Sequence, residues 1–442
     1  MRTNLAIKIL ILLILAGIFA IVLGAIGGVM GERKRFRDGV VDEIAQSTAK
    51  AQTLIGPILV LRYREKTVTR TEQNQPATER VSTYMALLLP ESLAVRTSVQ
   101  VEERYRGIYK AHVYRSTHRL AGVFRVPAHF GLAETNDVVG VEPAQIEIGV
   151  TDSRGLRKPP QVVWQGSEVA VRTGTDLAWL EQGASAAVGP AYWPDERRIP
   201  FEINVDLMGT ERLSLIPVGA TTTAQMDAGW PHPGFIGGFL PDERTITSHG
   251  FLATWQLSRF ATGIEGAIQR RQSGVEQALD NRDFGVRFVQ PVDVYQQSER
   301  AVKYGMLFVT LTFVAFLLFE VLKRLAVHPV QYTLAGAAVA LFFLLLISLS
   351  EHVPFGVAYL AASGACVGLL GFYVSHVLGS VTRGVGFGAL VAMLYGVLYV
   401  LLQSEDYALL LGSLLLFVLL AAIMVMTRRV DWYRLGESKA TS

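Results

Sequence analysis

The chain has 442 residues, half of them hydrophobic and 18% charged, with a formal net charge of +3. So small a positive excess argues against a nucleic-acid partner, which needs a concentrated basic face. The single cysteine, Cys366, rules out an intrachain disulfide, so a soluble domain in this chain has to be held by burial alone.

The apolar residues are concentrated near the two ends, and residues 32–300 have the mixed composition of a water-soluble domain. Residues 5–30 are almost continuously apolar, interrupted by Lys8, and exceed the ~20 residues that cross a bilayer core as a helix. A cleavable signal peptide has a shorter apolar region, so an uncleaved anchor is expected. Ala20, Gly24 and Gly28, with Gly27 and Gly31, form a stripe of small residues suited to close helix packing.

Residues 32–55 read as a helical stalk with a partial apolar face at Val40, Val41, Ile44 and Ala45, ended by Gly56-Pro57. Beyond it, alternating β-branched and aromatic residues predict strands at 58–63, 82–89, 93–102, 108–114, 122–126, 146–150, 201–207, 213–217, 251–257 and 284–288. Short strands between Gly, Pro and Asp turns point to an antiparallel, sandwich-like β fold. Residues 154–160 and 183–194 read as loops, and 263–283 as a polar helix or linker.

Within this region, Gly229-Trp230-Pro231-His232-Pro233-Gly234-Phe235 is a stiff aromatic segment. It either closes the β core or presents Trp230, His232 and Phe235 to a partner. The histidines His112, His118, His129, His232 and His249 are scattered without metal-ligand spacing. There is no P-loop, His-Glu-x-x-His, Cys-x-x-Cys or Gly-x-Ser-x-Gly, so the sequence names no reaction, metal or cofactor. Gly384, Gly386 and Gly388 stand at the start of an apolar run with no preceding strand, which suits helix packing.

Five further apolar runs follow, at 304–322, 330–349, 355–374, 385–402 and 407–426, each near spanning length. Lys323, Arg324, Arg383, Arg428, Arg429 and Arg434 lie in alternate connections, while 350–354 and 403–406 contain no Lys or Arg. Positive charge is retained in the cytoplasm, so both termini are expected there and the soluble domain outside. Arg33, Lys34, Arg35 and Arg37 dissent, since they follow the first span on the outer side. On the same outer level the six-span topology places Arg300 and Lys303 opposite Glu351, His352, Glu405 and Asp406, a set that is either solvated or a clasp on the bundle. Glu320 stands one turn before Lys323 and Arg324 and is expected to pair with them or to reach the interface.

These landmarks together resemble the CreD family of bacterial inner-membrane proteins, described as cell-envelope integrity proteins. The resemblance is carried by Gln46-Ser47-Thr48, Gln52, Gly56-Pro57, Arg106-Gly107-Ile108-Tyr109, Asp152 with Arg154-Gly155, Trp230-Pro231-His232-Pro233, and Tyr295 with Arg300 to Tyr304. It continues through His328-Pro329, Gln331-Tyr332, Ser350-Glu351-His352, Glu405-Asp406, Thr427-Arg428-Arg429 and Asp431-Trp432. Arg62 stands where the family commonly has a proline. The resemblance implies an inner-membrane protein with a periplasmic domain, tied to envelope integrity and to β-lactam and colicin responses, with no catalytic residue and no cofactor.

The expected architecture is therefore a mixed membrane protein. It comprises a cytoplasmic terminus and first span (1–31), a β-rich periplasmic domain (32–300, strands within 56–290), a five-helix bundle (301–427) and a cytoplasmic tail (428–442). Its expected role is non-enzymatic, with the lipid bilayer and an unidentified envelope protein or component as partners and no oligomeric state legible. A transporter formed by the bundle is the alternative, and an envelope hydrolase the third reading.

Overall fold

The structure, a computed structural model, describes residues 5–69, 78–133, 137–270, 279, 281–288, 294–323, 327–377, 379–403 and 408–428. It divides into two compact units, residues 39–291 in one and residues 1–38 with 292–442 in the other.

The β-rich unit is built on two sheets. The first runs, in spatial order, β14 (Pro233–Gly237), β17 (Phe284–Phe288), β12 (Arg212–Ile216), β1 (Gln52–Thr69), β6 (Ala144–Val150), β10 (Gly183–Gly189) and β9 (Val171–Thr173). The strands β2 (Thr78–Leu88) and β5 (Val138–Val141) also pair with β1. The second runs β15 (Glu243–Thr247), β16 (Gly250–Ser258), β13 (Thr221–Ala228), β3 (Ser92–Arg106), β4 (Tyr109–Val126), β11 (Arg197–Thr210), β7 (Gln161–Trp164) and β8 (Ser167–Val169). Aromatic side chains from the two sheets meet in one core, Trp255 against Phe284 at 5.0 Å and Tyr114 against Phe288 at 5.2 Å between ring centroids.

All ten segments expected as strands lie wholly or largely in strands. The expectation of an antiparallel arrangement is corrected, because β1 pairs with β12 in parallel and β13 with β3 in parallel. Alternation reports which face of a strand is buried but is blind to its direction, and long intervening segments permit the crossovers that parallel pairs need. Two local expectations are also corrected. Gly56-Pro57 does not end the helix but sits inside β1, at a register shift against β6, and residues 183–189 form β10 rather than a loop.

Helix α1 (Leu5–Ser47) is one uninterrupted helix of 43 residues. Two short helices, α2 (Arg259–Thr262) and α3 (Ile264–Arg270), follow β16.

The remaining helices are α4 (Val294–Lys303), α5 (Gly305–Lys323), α6 (Pro329–Ser350), α7 (Phe355–Val377), α8 (Val381–Gln403) and α9 (Ala408–Thr427). Among the described residues, four helices are long and apolar enough to cross a membrane, and the bent pair 295–303 and 305–317, kinked by 41°, makes a fifth. His328 opens α6 with a capping box, accepting from the Val330 amide while Gln331 accepts from its own. The middle of this unit is aromatic, with Phe342 at 4.5 Å and Phe308 at 5.2 Å from Tyr395, and Phe316 at 4.9 Å from Phe387.

The face that α1 turns to the other helices differs from the expected stripe of small residues. Phe19, Leu23, Ile26 and Met30 are buried, whereas a side chain added at Gly24 or Gly28 meets open space. The small residues that permit close approach stand on the receiving helices. Gly336 on α6 lies under the Phe19 ring, and Gly305 on α5 lies under Leu23. Of the three glycines at the start of α8, Gly384 abuts Ser375 and Gly388 faces Gly371 on α7, whereas a side chain at Gly386 meets open space.

Candidate functional site

In the β-rich unit, a cleft of about 290 Å³ opens where the end of β2, the turn before β13 and the short helices α2 and α3 come together. Its apolar lining includes Leu88, Pro90, Val218 and Ile264, and its charged lining Glu91, Arg125, Glu196, Arg259 and Glu265. The backbone builds the floor, as the Ala220 amide donates to Pro90 O at 2.8 Å and the Arg259 amide to Ala220 O at 2.8 Å.

Three Arg–Glu pairs surround the opening. Arg125 binds Glu196 through two bonds of 2.9 Å, Arg198 donates to Glu91 at 2.8 Å, and Arg259 reaches Glu265 at 3.4 Å. The guanidinium of Arg125 holds the Glu196 carboxyl below its ordinary range. Beside Arg259, Phe260 is 92% exposed on a helix of four residues. A surface that carries both charge signs over an apolar floor, with an unburied aromatic at its side, can recognise a mixed-charge partner.

Several residues that carry the family resemblance converge instead on a polar seat where α1 gives way to β1. Gln52 donates to Asp152 O at 2.9 Å and accepts from the Asp152 amide at 3.2 Å, while Asp152 Oδ2 accepts from the Lys50 amide at 3.1 Å. Arg154 chelates the Asp152 carboxylate and donates to Gln46 O, and Thr210 donates to Ala49 O at 2.7 Å. The Arg154 bond and the Lys50 amide lower the Asp152 carboxyl to about 2. Gly155 is required here, because a side chain would collide with Gln52 and with Met208 O.

A histidine and a glutamate of the same unit are fully buried. The His118 ring sits between Thr97 Oγ1 at 2.9 Å from Nδ1 and Ser116 Oγ at 2.8 Å from Nε2. Since the Ser116 hydroxyl donates to Leu207 O, Nε2 carries the proton and Nδ1 accepts, which is the neutral ring. Burial depresses its pKa to about 4. Glu147 on β6 is fully buried, and burial raises its pKa to about 7. Among the described residues, no group of three or more His, Cys, Asp or Glu is placed to hold a metal ion.

The sequence-selected residues fall into separate places. Trp230 is half-buried, donates to His232 O at 2.9 Å and packs on His112 at 4.7 Å between rings. His232 is exposed. Phe235 belongs to β14 and leans on Phe251 and Trp255 at the edge of the core. In the helical unit, Glu351 accepts from Tyr295 at 3.4 Å and lies 3.8 Å from Arg33, while His352 donates to Ser348 O at 3.1 Å. Arg300 and Lys303 stand in the last turn of α4, and Lys303 pairs with Glu299 at 3.1 Å. Glu405 and Asp406 lie outside the described residues.

Glu320 meets a partner other than the expected Lys323 and Arg324. Lys8 donates to Glu320 and, at 2.8 Å, to Val327 O, and its ammonium sits 5.7 Å from the Tyr332 ring centre. Tyr332 donates to the other Glu320 oxygen at 3.0 Å. The expected partners, the Lys323 side chain and Arg324, lie outside the described residues. A Lys and a Glu, each inside an apolar run, were the sequence signals for this cluster.

Comparison with known proteins places the chain in a family. The model of the family described as "Inner membrane protein CreD" matches residues 4–433. The inner membrane protein CreD of Escherichia coli (strain K12) is 37% identical over 414 residues, 93% of this chain and 90% of that protein. Among solved structures, an M1 zinc metallopeptidase from Deinococcus radiodurans is 10% identical, covering 38% of each chain with a TM-score of 0.20. A putative nutrient binding protein from Legionella pneumophila is 9% identical, covering 49% of this chain and 82% of that one with a TM-score of 0.22. Likeness at that level carries no argument, whereas the family match extends over nearly the whole chain. The chain belongs to the CreD family of inner membrane proteins.

Proposed function

We propose that the protein is a non-enzymatic factor of the inner membrane that supports envelope integrity under stress such as β-lactam or colicin exposure. In this reading its β-rich unit lies in the periplasm and engages an envelope protein or envelope component. The observation that carries the binding role is the mixed-charge cleft, where Arg125, Arg259, Glu91, Glu196 and Glu265 surround an apolar floor beside the exposed Phe260. Aromatic residues, Phe among them, and arginine are enriched at protein interfaces. The bundle then serves as an anchor, a role supported by the aromatic packing of Phe308, Phe342 and Tyr395 across its middle.

The transporter alternative rests on the Lys8–Glu320 pair, because ionisable residues inside a membrane often mark transport paths.

The anchoring and binding reading predicts that Arg259→Glu, and Phe260→Ala more mildly, weaken protection against β-lactam while the protein accumulates normally. A photo-crosslinking residue at position 260 of the full chain should capture one envelope partner in cells, and Arg259→Glu should abolish that product. Full protection with Arg259→Glu and an unchanged crosslink would overturn the cleft as the binding site.

A further inference from the structure

Residues 174–182 connect β9 to β10 and are closed at the base, the Gly174 amide donating to Gly183 O at 2.9 Å. Gly174 and Gly183 have φ of +81° and +150°, conformations that glycine adopts without strain, so the loop is bracketed by two permissive joints. Its apolar residues Leu177 and Leu180 are buried in the core, and Leu180 lies directly on Gly149 of β6, where any side chain would collide with it.

Polar contacts fasten the loop at its end, where the Val150 and Ser153 amides donate to Gln182 at 3.0 and 2.8 Å, and at its middle. Glu147 Oε1 accepts from the Asp176 amide at 3.1 Å, and the Asp176 carboxylate pairs with Arg62 of β1 at 3.1 Å. The other carboxyl oxygen of Glu147, Oε2, is buried without a hydrogen-bond partner. Glu147 is flanked in the sheet by Ile58 of β1 and Ser185 of β10, and the charged groups that face it are Asp176 from the loop and Arg62 from β1.

We propose that Glu147 is the latch of a hinged loop, residues 174–182, which lies closed on the sheet when the carboxyl is neutral and lifts when it ionises. A buried carboxylate with one oxygen unpartnered is costly, and lifting the loop admits the water that relieves it. The sign follows from the closed-state pKa of about 7, against the ordinary 4.5 of a hydrated carboxyl: burial raises it and outweighs the lowering by the Asp176 amide bond, and the Asp176 charge adds to the rise. Closure is strongest below the ordinary value and is lost as pH rises through the raised one. The open population therefore grows roughly tenfold per pH unit between about pH 5 and pH 7 and levels off above. Opening uncovers Leu177 and Leu180 together with the half-buried Trp179, an apolar patch absent from the closed surface.

The test places a reporter thiol beneath the loop. Leu177→Cys in the full chain, reconstituted in nanodiscs, is labelled with maleimide from pH 5 to pH 8.5, each rate divided by that of a free thiol at the same pH. The protection ratio should fall at least tenfold between pH 5 and pH 7 and then stay flat. Adding Glu147→Gln should hold the thiol protected at every pH. Adding Asp176→Asn, which removes the charge that raises the latch pKa, should move the transition to lower pH. A protection ratio that does not change with pH, or a transition that survives Glu147→Gln, overturns the latch.

Discussion

His118 shows how a residue with an unremarkable sequence setting acquires a measurable role from its surroundings. Thr97 and Ser116 are arranged for a neutral ring, and burial holds the pKa near 4, about 2.5 units below the 6.5 of an exposed histidine. A depressed folded pKa means that this stability is fully present above pH 6.5 and is lost as pH falls through 4. Full protonation costs the folded unit about 3 kcal/mol relative to the unfolded chain. Chemical unfolding of the full chain followed by tryptophan fluorescence at pH 7 and pH 4 should show the parent losing about that much more than His118→Asn. Equal losses would assign the acid sensitivity elsewhere. Glu147 acts with the opposite sign in an overlapping window, which is why the difference between parent and variant, not the raw pH profile, isolates His118. Neither burial was legible in the sequence, where both residues stand in alternating strands. An alternating pattern places polar residues outside by default, and only the second sheet and the 174–182 loop put them inside.

At the scale of the element, the strands read most clearly are those whose buried positions are large and apolar. The strand β3 alternates exposed and buried through Leu93, Val95 and Val99, and was legible on that account. The strand β13 alternates as strictly, yet its buried residues are Thr222, Ala224, Met226 and Ala228, which offer little hydropathy contrast, and it was missed. The strand β14 begins at Pro233 on the edge of its sheet, so the aromatic segment that reads as a corner is partly a strand. The cleft was illegible for a different reason, since its charged residues come from widely separated parts of the chain.

Helix α1 supplies the prediction at this scale. Its Lys8 and the Glu320 of α5 are both largely buried, with side chains 11% and 14% exposed. Removing one partner from a buried ion pair costs ~3–5 kcal/mol, because the other charge is left uncompensated. Lys8→Glu alone and Glu320→Lys alone should each lower the amount of folded protein recovered from membranes severalfold, and the double exchange should restore part of it. Losses that simply add in the double exchange would mean that the two residues do not depend on each other.

For the whole molecule, the packing of α1 bears on the dissenting charges Arg33, Lys34, Arg35 and Arg37. Along α1, Lys8 meets Glu320, Phe19 meets Phe313, Leu23 lies on Gly305 and Gly27 approaches Val302, so α1 runs antiparallel to α5. The start of α1 and the end of α5 therefore share one side of the helical unit. At the other end, Arg33 lies 3.8 Å from Glu351 and Arg37 stacks at 5.2 Å on Tyr295, so two of the four dissenting charges have an acidic or aromatic partner there. These cations also lead into residues 39–291, and long translocated segments obey the charge rule less than short loops do. The remaining signals agree: Lys323 and Arg324 follow α5 and Arg428 follows α9, while residues 350–354 contain no Lys or Arg. The expected orientation thus has Lys8 and the carboxyl terminus in the cytoplasm, and Glu351 with residues 39–291 on the periplasmic face. Alkaline phosphatase fused after Gln100 should be active and fused after Ser442 inactive, with a fluorescent protein giving the converse. If both positions report the same compartment, the total number of crossings is odd and the six-span topology fails, whereas a swapped pattern would mean that the helices have been assigned to the wrong sides.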